Sequence, residues 1–251
     1  MQSRHLPTVR PLSARSVALS ALLGYHPPAL PISSLIRIGE LFEIPERTMR
    51  MALRRMVTNG DVVTDDGFYQ LTGRLLQRQA LQDESCSPKT KSWRGSWEMA
   101  VVTAPPRPLA DRVALRRSMV ALRLAELREG VWLRPANLVR DRHDTLLKQC
   151  TFYSARPEDD PVELAASLWD LPAWAAEARQ LQSELAGATG LKEGFMVTAD
   201  VLRHLLIDPM LPPELLPDNW PAAELREQFA AFELDYAGRL REYSDFQAAA
   251  G

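Results

Sequence analysis

Hydrophobic residues near the start of the chain recur at the spacing of an α-helix in two separate stretches. The first stretch contains Val17, Ala18, Ala21 and Leu22, and the second contains Leu35, Ile38, Leu41 and Phe42. Ser13 precedes the first stretch and Gly24 follows it, so we expect a helix between them. Ser33 or Ser34 is expected to cap the second helix in the same way. A stiff, proline-rich connector over residues 26–31 is predicted to separate the two.

A third helix is predicted from Pro45 to about Val57, because proline suits the first turn of a helix and Asn59-Gly60 suits its end. Two β-prone runs follow this helix, and the Asp65-Asp66-Gly67 turn between them predicts a β-hairpin over residues 61–71. Three helices followed by a hairpin are the pattern of a winged helix-turn-helix. The sequence therefore predicts such a domain at the start of the chain.

The third predicted helix has two faces of different chemistry. The residues expected to face a core are Met49, Leu53, Met56 and Val57. Arg47, Arg50 and Arg54 recur at spacings of three and four, so they share an exposed side, with Arg55 beside them. Guanidinium groups on such a side can pair with guanine in the major groove of DNA or with phosphates.

The residues predicted to read bases are Arg47, Thr48 and Arg50, because helix-turn-helix proteins place the N-terminal part of the recognition helix against base edges. Arg54 and Arg55 come later and are expected to hold the DNA backbone. A solvated basic surface without a partner is the alternative interpretation of these residues. The hairpin turn is acidic, so we expect the hairpin mainly to brace the domain, with Tyr69 or Arg74 as its more favourable contact to DNA.

Two further regions are predicted beyond residue 82. A polar stretch over residues 83–92 is the best candidate for a linker. A strand over residues 93–102, a helix over residues 109–129 and strands over residues 131–138 and 150–154 predict a small α+β domain. From Val162 onward the pattern is helical, and a proline-rich loop with buried-looking leucines interrupts it at residues 208–221.

The long helix predicted over residues 109–129 also carries two kinds of side chain. Its expected apolar stripe consists of Val113, Val120, Leu124 and Leu127. Arg112, Arg116 and Arg123 fall on another face, where they could bind the phosphates of an anionic ligand. A solvated or salt-bridged face is the favoured interpretation of these three arginines.

Charge is distributed unevenly along the 251 residues, whose net charge is -2. Residues 1–80 hold 10 Arg and Lys against 6 Asp and Glu, residues 81–157 hold 14 against 8, and residues 158–251 hold 6 against 18. A basic front and an acidic rear favour a protein that presents one end to a polyanion. Uneven solvated surfaces without a partner are the alternative.

Sequence signals for catalysis, metals and membranes are weak or missing. The four histidines are scattered, and neither a Gly-rich phosphate loop nor a nucleophile elbow occurs. Cys86 and Cys150 lie far apart, as expected for unpaired thiols in a reducing cytoplasm. No stretch approaches about 18 apolar residues, and the N-terminus lacks the apolar segment of a signal peptide. We therefore expect a cytoplasmic protein that is not an enzyme and has no catalytic residues, cofactor, metal site or membrane partner.

Three blocks of the sequence together resemble the PaaX family, bacterial repressors named for the phenylacetic acid degradation regulator. The first block reads LSARSV at residues 12–17, GELF at 39–42, MRMALRRM at 49–56, GD at 60–61 and YQLTGR at 69–74. The second reads WRGSWEM at residues 93–99, and the third reads DPMLPPELLP at 208–217 with WP at 220–221. The blocks span nearly the whole chain, and their combination is specific although each alone is modest.

This resemblance implies the α+β class, with an N-terminal winged helix-turn-helix, a central ferredoxin-like domain similar to the Cas2 nucleases, and a helical C-terminal domain. We place these three domains at residues 12–82, 93–157 and 162–251. The resemblance also implies a homodimer that represses a catabolic operon by binding double-stranded operator DNA until a small effector releases it. The effector in the founding branch is phenylacetyl-coenzyme A, so an aromatic acyl-coenzyme A is the expected ligand. No effector-binding residue can be matched by motif.

Two other functions are compatible with the same sequence. One is a Cas2-like, metal-dependent nuclease with a winged-helix head, although the strand at residues 98–102 ends without an acidic residue and Thr103-Ala104-Pro105 follows it. The other is a protein-interaction module whose winged helix docks on another protein. Metal-dependent cleavage of nucleic acid would support the nuclease, and the lack of a salt-dependent affinity for DNA would support the interaction module.

Overall fold

The structure, a computed structural model, describes residues 12–105, 108–140 and 144–245. It contains two compact units, which are described separately below. Unit 1 is drawn from Met1–Ala80, Ala188–Ala199 and Ala231–Gly251, and unit 2 from Leu81–Gly187 and Asp200–Ala230. Helices and antiparallel strands occur in both, which confirms the α+β class. The three domain ranges given above remain a prediction.

Unit 1 contains the predicted winged helix. Its elements are α1 (Ala14–Leu23), β1 (Ala29–Pro31), α2 (Ile32–Glu40), α3 (Glu46–Thr58), β2 (Val62–Asp65) and β3 (Phe68–Leu71). The strands form an antiparallel sheet in the order β1-β3-β2. Asp66 and Gly67 connect β2 to β3 with φ values of 43° and 78°, the left-handed backbone that a two-residue hairpin turn requires. The hairpin prediction is confirmed.

The start of α1 follows the sequence prediction, whereas the start of α2 does not. The Ser13 hydroxyl caps α1 by accepting a hydrogen bond from the Ser16 backbone N–H at 3.1 Å. In α2 the preceding residue is Pro31, which has no side-chain cap, and both Ser33 and Ser34 lie inside the helix. The prediction of a serine cap there was wrong because the expected connector contains strand β1, and α2 begins directly where that strand ends.

The core of unit 1 joins the winged helix to residues far along the chain. Its members from α1, α2 and α3 include Val17, Ala18, Leu22, Leu35, Ile38, Met49, Leu53 and Met56. Phe195 of α9 (Leu191–Leu205) and Tyr236 of α10 (Ala222–Asp245) belong to the same cluster. The Tyr236 hydroxyl donates to the Leu191 carbonyl at 3.0 Å. A Cβ at Gly194 would lie 2.5 Å from the Tyr236 ring, so glycine is what allows this close approach.

Unit 2 is built around a four-stranded antiparallel sheet. Its elements are β4 (Trp97–Val102), α5 (Leu109–Ala121), β5 (Ala125–Arg128), β6 (Val131–Pro135), α6 (Asp144–Leu147) and β7 (Cys150–Ala155). The strand order is β5-β6-β4-β7. Two β-α-β passages that place β4 and β6, the first and third strands of unit 2, in the middle of the sheet define the ferredoxin-like arrangement. The fold implied by the resemblance is therefore confirmed for this region.

Each face of this sheet is covered by a separate apolar cluster. On one face, Leu115 and Met119 of α5 pack against Ala100 and Trp132. The opposite face carries Trp97 and Leu133, which pack against helical residues from α7 (Pro161–Leu168) and α8 (Leu171–Gly187) and against the loop with the short 3-10 helix Pro213–Leu215. The leucines of that loop are buried, as the sequence predicts, and Leu215 is 1% exposed.

Two element boundaries in unit 2 differ from the sequence predictions. Helix α4 (Gly73–Cys86) continues into the stretch predicted to be a linker. The helix predicted over residues 109–129 ends at Ala121, and a turn through Arg123, with φ of 58°, leads into β5. The predicted apolar stripe was wrong for Val113, Val120 and Leu127, which are exposed, whereas Leu124 is buried as predicted. The buried residues of α5 itself are Leu115 and Met119.

Candidate nucleic-acid interface

Helix α3 is anchored in unit 1 by one apolar face. Met49, Leu53 and Met56 are each 0% exposed, as the spacing of these residues predicts. Val57 was also expected in the core but is 38% exposed. The reason is geometric, since each residue is rotated by about 100° from its neighbour and Val57 follows the buried Met56. The buried face is therefore narrow, and most of the helix surface is open.

The five residues predicted to contact DNA are all exposed on α3. They are Arg47, Thr48, Arg50, Arg54 and Arg55. At about 100° per residue, Arg47 and Arg54 lie opposite the buried face, Arg50 lies on one flank, and Thr48 and Arg55 lie on the other. Within the part of the chain that the structure describes, no ion pair holds Arg47, Arg54 or Arg55. The exposed surface of α3 therefore carries guanidinium groups at its centre and on both flanks.

Arg50 has an intramolecular partner that the sequence analysis missed. Its Nε donates to Glu46 Oε1 at 2.7 Å, and its Nη2 lies 2.6 Å from the same oxygen. Both side chains are about half exposed, and such i,i+4 pairs contribute about 0.3–0.5 kcal/mol. Arg50 can therefore exchange Glu46 for a base or a phosphate at small cost. The signal was present in the sequence as an acid four residues before an arginine.

Met51 is a second feature of this surface that the sequence analysis missed. It is 45% exposed and lies on the outer side of α3, four residues after Arg47 and three before Arg54. A helix position between two exposed arginines at these spacings was the available signal. An apolar side chain here can contact the methyl group of thymine in the major groove.

A buried carboxylate fixes the end of α3 to its neighbours. Asp61 is 2% exposed, and its two oxygens accept hydrogen bonds from Arg15 and Arg74 at 2.8 Å each. These arginine hydrogen bonds hold the pKa of the Asp61 carboxyl below its usual value, against the opposing effect of burial. The Asp61 backbone N–H donates to the Met56 carbonyl at 2.9 Å. Arg74, one of the contacts considered for the hairpin, thus already has a structural partner.

The described residues show little sign of other chemistry. They contain no group of three or more His, Cys, Asp or Glu side chains placed to hold a metal ion. Cys86 is half-buried and Cys150 is buried, and neither forms a disulfide. None of the described helices is both long enough and apolar enough to cross a membrane.

Comparison with known protein families covers all three regions of the chain. Residues 13–75 match a PaaX-like protein family, residues 90–155 match the central Cas2-like domain of PaaX proteins, and residues 169–245 match the C-terminal domain of PaaX-like proteins. Among solved structures, uncharacterized protein Rv0674 from Mycobacterium tuberculosis is 44% identical, with a TM-score of 0.74. The match covers 92% of this chain and 98% of that one. No curated protein sequence matched the chain.

The chain therefore belongs to the PaaX family. Membership of this family points to a PaaX-like transcriptional regulator that binds DNA. The whole of α3 lies inside the first matched region, together with β2 and β3.

Proposed function

We propose that the protein is a homodimeric transcriptional repressor that binds operator DNA through α3. Arg47, Thr48 and Arg50 read base edges in the major groove, and Arg54 and Arg55 hold the phosphate backbone. The observation that carries this proposal is the division of α3 into a fully buried face and an arginine-rich exposed one. A helix anchored in this way presents its cations in a fixed geometry, which sequence-specific recognition requires.

Dimerisation follows from the symmetry that helix-turn-helix repressors share with their operators. Two copies of α3 spaced by about 34–36 Å would enter successive major grooves on one side of the duplex. The proposed operator is accordingly an inverted repeat upstream of a catabolic operon. A small effector, in the family's manner an aromatic acyl-coenzyme A, releases the repressor from it.

The test is a titration of the full chain with a duplex from the region upstream of its own gene, followed by fluorescence anisotropy. Specific binding should exceed binding to a scrambled duplex by at least about 10³-fold and should weaken steeply with salt. Arg128→Ala, which removes an exposed arginine from β5 in unit 2, is the matched control for arginine-to-alanine variants of α3. Equal affinity for the scrambled duplex, or an affinity insensitive to salt, would sink the proposal.

The effector is tested by adding phenylacetyl-coenzyme A, other coenzyme A thioesters and free aromatic acids to the preformed complex. Release by a thioester at micromolar concentration supports an acyl-coenzyme A effector, whereas release by the free acids alone replaces it. Incubation of the protein with nucleic acid and Mg²⁺ or Mn²⁺ tests the nuclease alternative, which the Cas2-like match of residues 90–155 makes worth testing. Metal-dependent cleavage would overturn the assignment as a pure regulator.

A further inference from the structure

Unit 2 contains a cluster of arginines that is almost closed to solvent. We define the buried arginine cluster as Arg123, Arg134, Arg140 and Arg226 with the carboxylates Glu84 and Asp208. Arg123 is 6% exposed and Arg134 is 1% exposed. Arginines are seldom buried this deeply without a carboxylate or a ligand beside them. The partners of each guanidinium group therefore show whether the cluster is complete.

Two members of the cluster have an acceptor for each of their three guanidinium nitrogens. Arg134 donates to the carbonyls of Pro135 and Leu122 and to the Asn137 side chain, at 2.9, 3.2 and 2.9 Å. Arg226 donates to Asp208 at 2.5 Å and to two backbone carbonyls. Each has three acceptors in the fork geometry that a guanidinium group needs.

The other two members are incompletely satisfied. Arg123 donates to the Ser85 hydroxyl at 2.7 Å and makes only a long contact, 3.5 Å, with the Leu205 carbonyl. Arg140 donates to Glu84 and to the Ala121 carbonyl at 2.8 and 2.6 Å. The Nε atoms of both arginines are buried and have no acceptor among the residues that the structure describes. A buried donor without a partner is costly, so each such atom calls for an explanation.

The charges of the cluster are also unbalanced. Among the described residues, the four guanidinium groups of the cluster form ion pairs with two carboxylates, with Glu84 paired to Arg140 and Asp208 paired to Arg226. Glu98 is the main attraction on Arg134, and Asp208 and Glu84 both attract Arg123. Burial and the neighbouring Arg140 lower the pKa of Arg123 to about 10, and the same causes lower that of Arg134 to about 9. Both groups remain cationic at neutral pH, so the cluster holds an excess of positive charge away from water.

A pocket of about 380 Å³ opens beside this cluster. Arg140 and Leu122 form part of its wall, together with Lys91 and the aromatic residues Phe152 and Tyr153. Lys91 is exposed, and its backbone N–H donates to the Asn137 carbonyl at 2.8 Å, which fixes it at this wall. Glu98 also lines the pocket, so two cationic side chains and one carboxylate face it together with the aromatic surface. Its volume lies at the small end of the range for ligand sites, about 300–1,000 Å³.

We infer that this pocket binds a small organic oxyanion, a molecule whose carboxylate or phosphate group pairs with Arg140 and Lys91. Arg123 lies behind Arg140 and contributes attraction without touching the ligand. An oxyanion in the pocket would add negative charge and a further acceptor for the Arg140 Nη groups, which already donate to Ala121 and Glu84, in the charge-assisted geometry that guanidinium groups favour. The site lies in unit 2 and its occupation does not depend on DNA binding, so it can be tested on the protein alone.

The test is calorimetric titration of the full chain at low salt with inorganic phosphate, phenylacetate, phenylacetyl-coenzyme A and the uncharged phenylacetamide. We expect saturable binding of at least one anionic probe and none of phenylacetamide. Tight binding of phenylacetate identifies a carboxylate ligand, whereas binding of phosphate or the thioester alone identifies a phosphate group. Equal binding of the neutral amide, or no saturable binding of any anion up to about 10 mM, would overturn the inference.

Two variants locate the site. Arg140→Lys should weaken binding by about 10- to 100-fold, as expected for the loss of charge-assisted hydrogen bonds, while keeping the charge that faces Glu84. Lys91→Gln alters an exposed side chain and should weaken binding by about 3- to 10-fold in a fully folded protein, so it decides the question if the first variant does not fold. Arg128→Gln serves as the control and should bind normally. Unchanged affinity in Lys91→Gln would place the anion elsewhere.

Discussion

Arginines in the two units of this protein serve opposite purposes. In α3 of unit 1, Arg47, Arg54 and Arg55 are exposed, and Arg50 is held only by a neighbouring surface glutamate. In unit 2, Arg123 and Arg134 are buried among backbone carbonyls. The exposed arginines cost the free protein little folding free energy, and they keep their hydrogen-bonding capacity for a partner. The buried arginines use most of that capacity for hydrogen bonds within the fold, and in the buried arginine cluster the Nε atoms of Arg123 and Arg140 lack an acceptor among the described residues.

The exposure of each arginine and the acceptors it already binds distinguish a binding surface from a structural cluster. Spacing along the chain does not distinguish the two, because Arg112, Arg116 and Arg123 recur as regularly as the arginines of α3. Arg112 and Arg116 are exposed on α5, whereas Arg123 sits in the turn after that helix and points into the cluster. The number of acceptors around each guanidinium group is what assigns it to one class or the other.

The largest effect should come from removing a buried arginine whose partners are complete. Arg134→Met leaves two carbonyls and the Asn137 side chain without a donor, so we expect the free energy of unfolding to fall by about 3 kcal/mol. Arg123→Met loses one good hydrogen bond and relieves uncompensated charge, so its loss should stay within about 1 kcal/mol. Urea denaturation of both variants measures the contrast. Equal losses would remove the distinction between the two arginines.

A comparably large effect, on binding instead of stability, is expected at the exposed surface. Arg50→Ala should reduce specific affinity for the operator by about 1–3 kcal/mol, the usual contribution of an arginine that reads a base. Arg54→Ala should weaken specific and non-specific duplexes alike and lower the slope of log affinity against log salt by about 1. Anisotropy titrations over a range of salt separate these results. Unchanged operator binding by Arg50→Ala would exclude this residue as a reader.

Asp61 is the intermediate case, in which two partly exposed arginines serve a buried carboxylate. Its pKa is lowered in the folded protein, so the carboxylate contributes stability above its unfolded pKa and this contribution is lost as the pH falls below about 4. Asp61→Asn should be less stable at pH 7 by about 1–2 kcal/mol and should lose part of the wild-type decline between pH 5 and pH 3. Thermal unfolding across this range measures both. An identical pH dependence in the variant would contradict the assignment.

The smallest effect is expected from the pair that holds Arg50 in the free protein. Glu46→Gln removes a surface ion pair and a negative charge beside the proposed DNA contact, so non-specific DNA affinity should rise about twofold. The unfolding free energy should fall by no more than about 0.5 kcal/mol. Glu40→Gln, which removes an exposed acid and its pair with Arg37 at the end of α2, provides a control for the loss of one charge and one ion pair outside α3. Weaker DNA binding by Glu46→Gln would show that the pair orients Arg50 instead of restraining it.

Local patterns were sufficient for much of unit 1. The cap at Ser13, the buried residues Met49, Leu53 and Met56, and the Asp66-Gly67 turn depend on neighbours within a few residues, and all are confirmed. The candidate DNA-contacting residues were found in the same way, and their exposure agrees with the prediction, although their roles remain to be tested. Strand β1 was missed because a three-residue strand has too short a pattern and exists only through its pairing with β3.

The errors in unit 2 have a common cause in tertiary contacts. Residues 122–128 have helix-compatible composition, yet Ala125 and Glu126 pair with Leu133 and Trp132 of β6, and this pairing ends α5 early. The chain reverses at Arg123, whose guanidinium group is then anchored by Ser85 and Leu205. None of these partners lies near residue 123 in the sequence, so no local pattern could indicate that this arginine is buried.

The sequence by itself determined the winged helix, the basic face of α3 and the family, because helix periodicity, turn residues and family motifs are local properties of the chain. Only the tertiary structure decided which arginines are exposed and which are buried, and that Met51 joins the outer face while Arg50 is held by Glu46. It also decided that Phe195 and Tyr236 complete the core beneath the winged helix. The physical reason is that the burial of a side chain depends on surfaces brought together from distant parts of the chain, and its partners are set only when those surfaces meet.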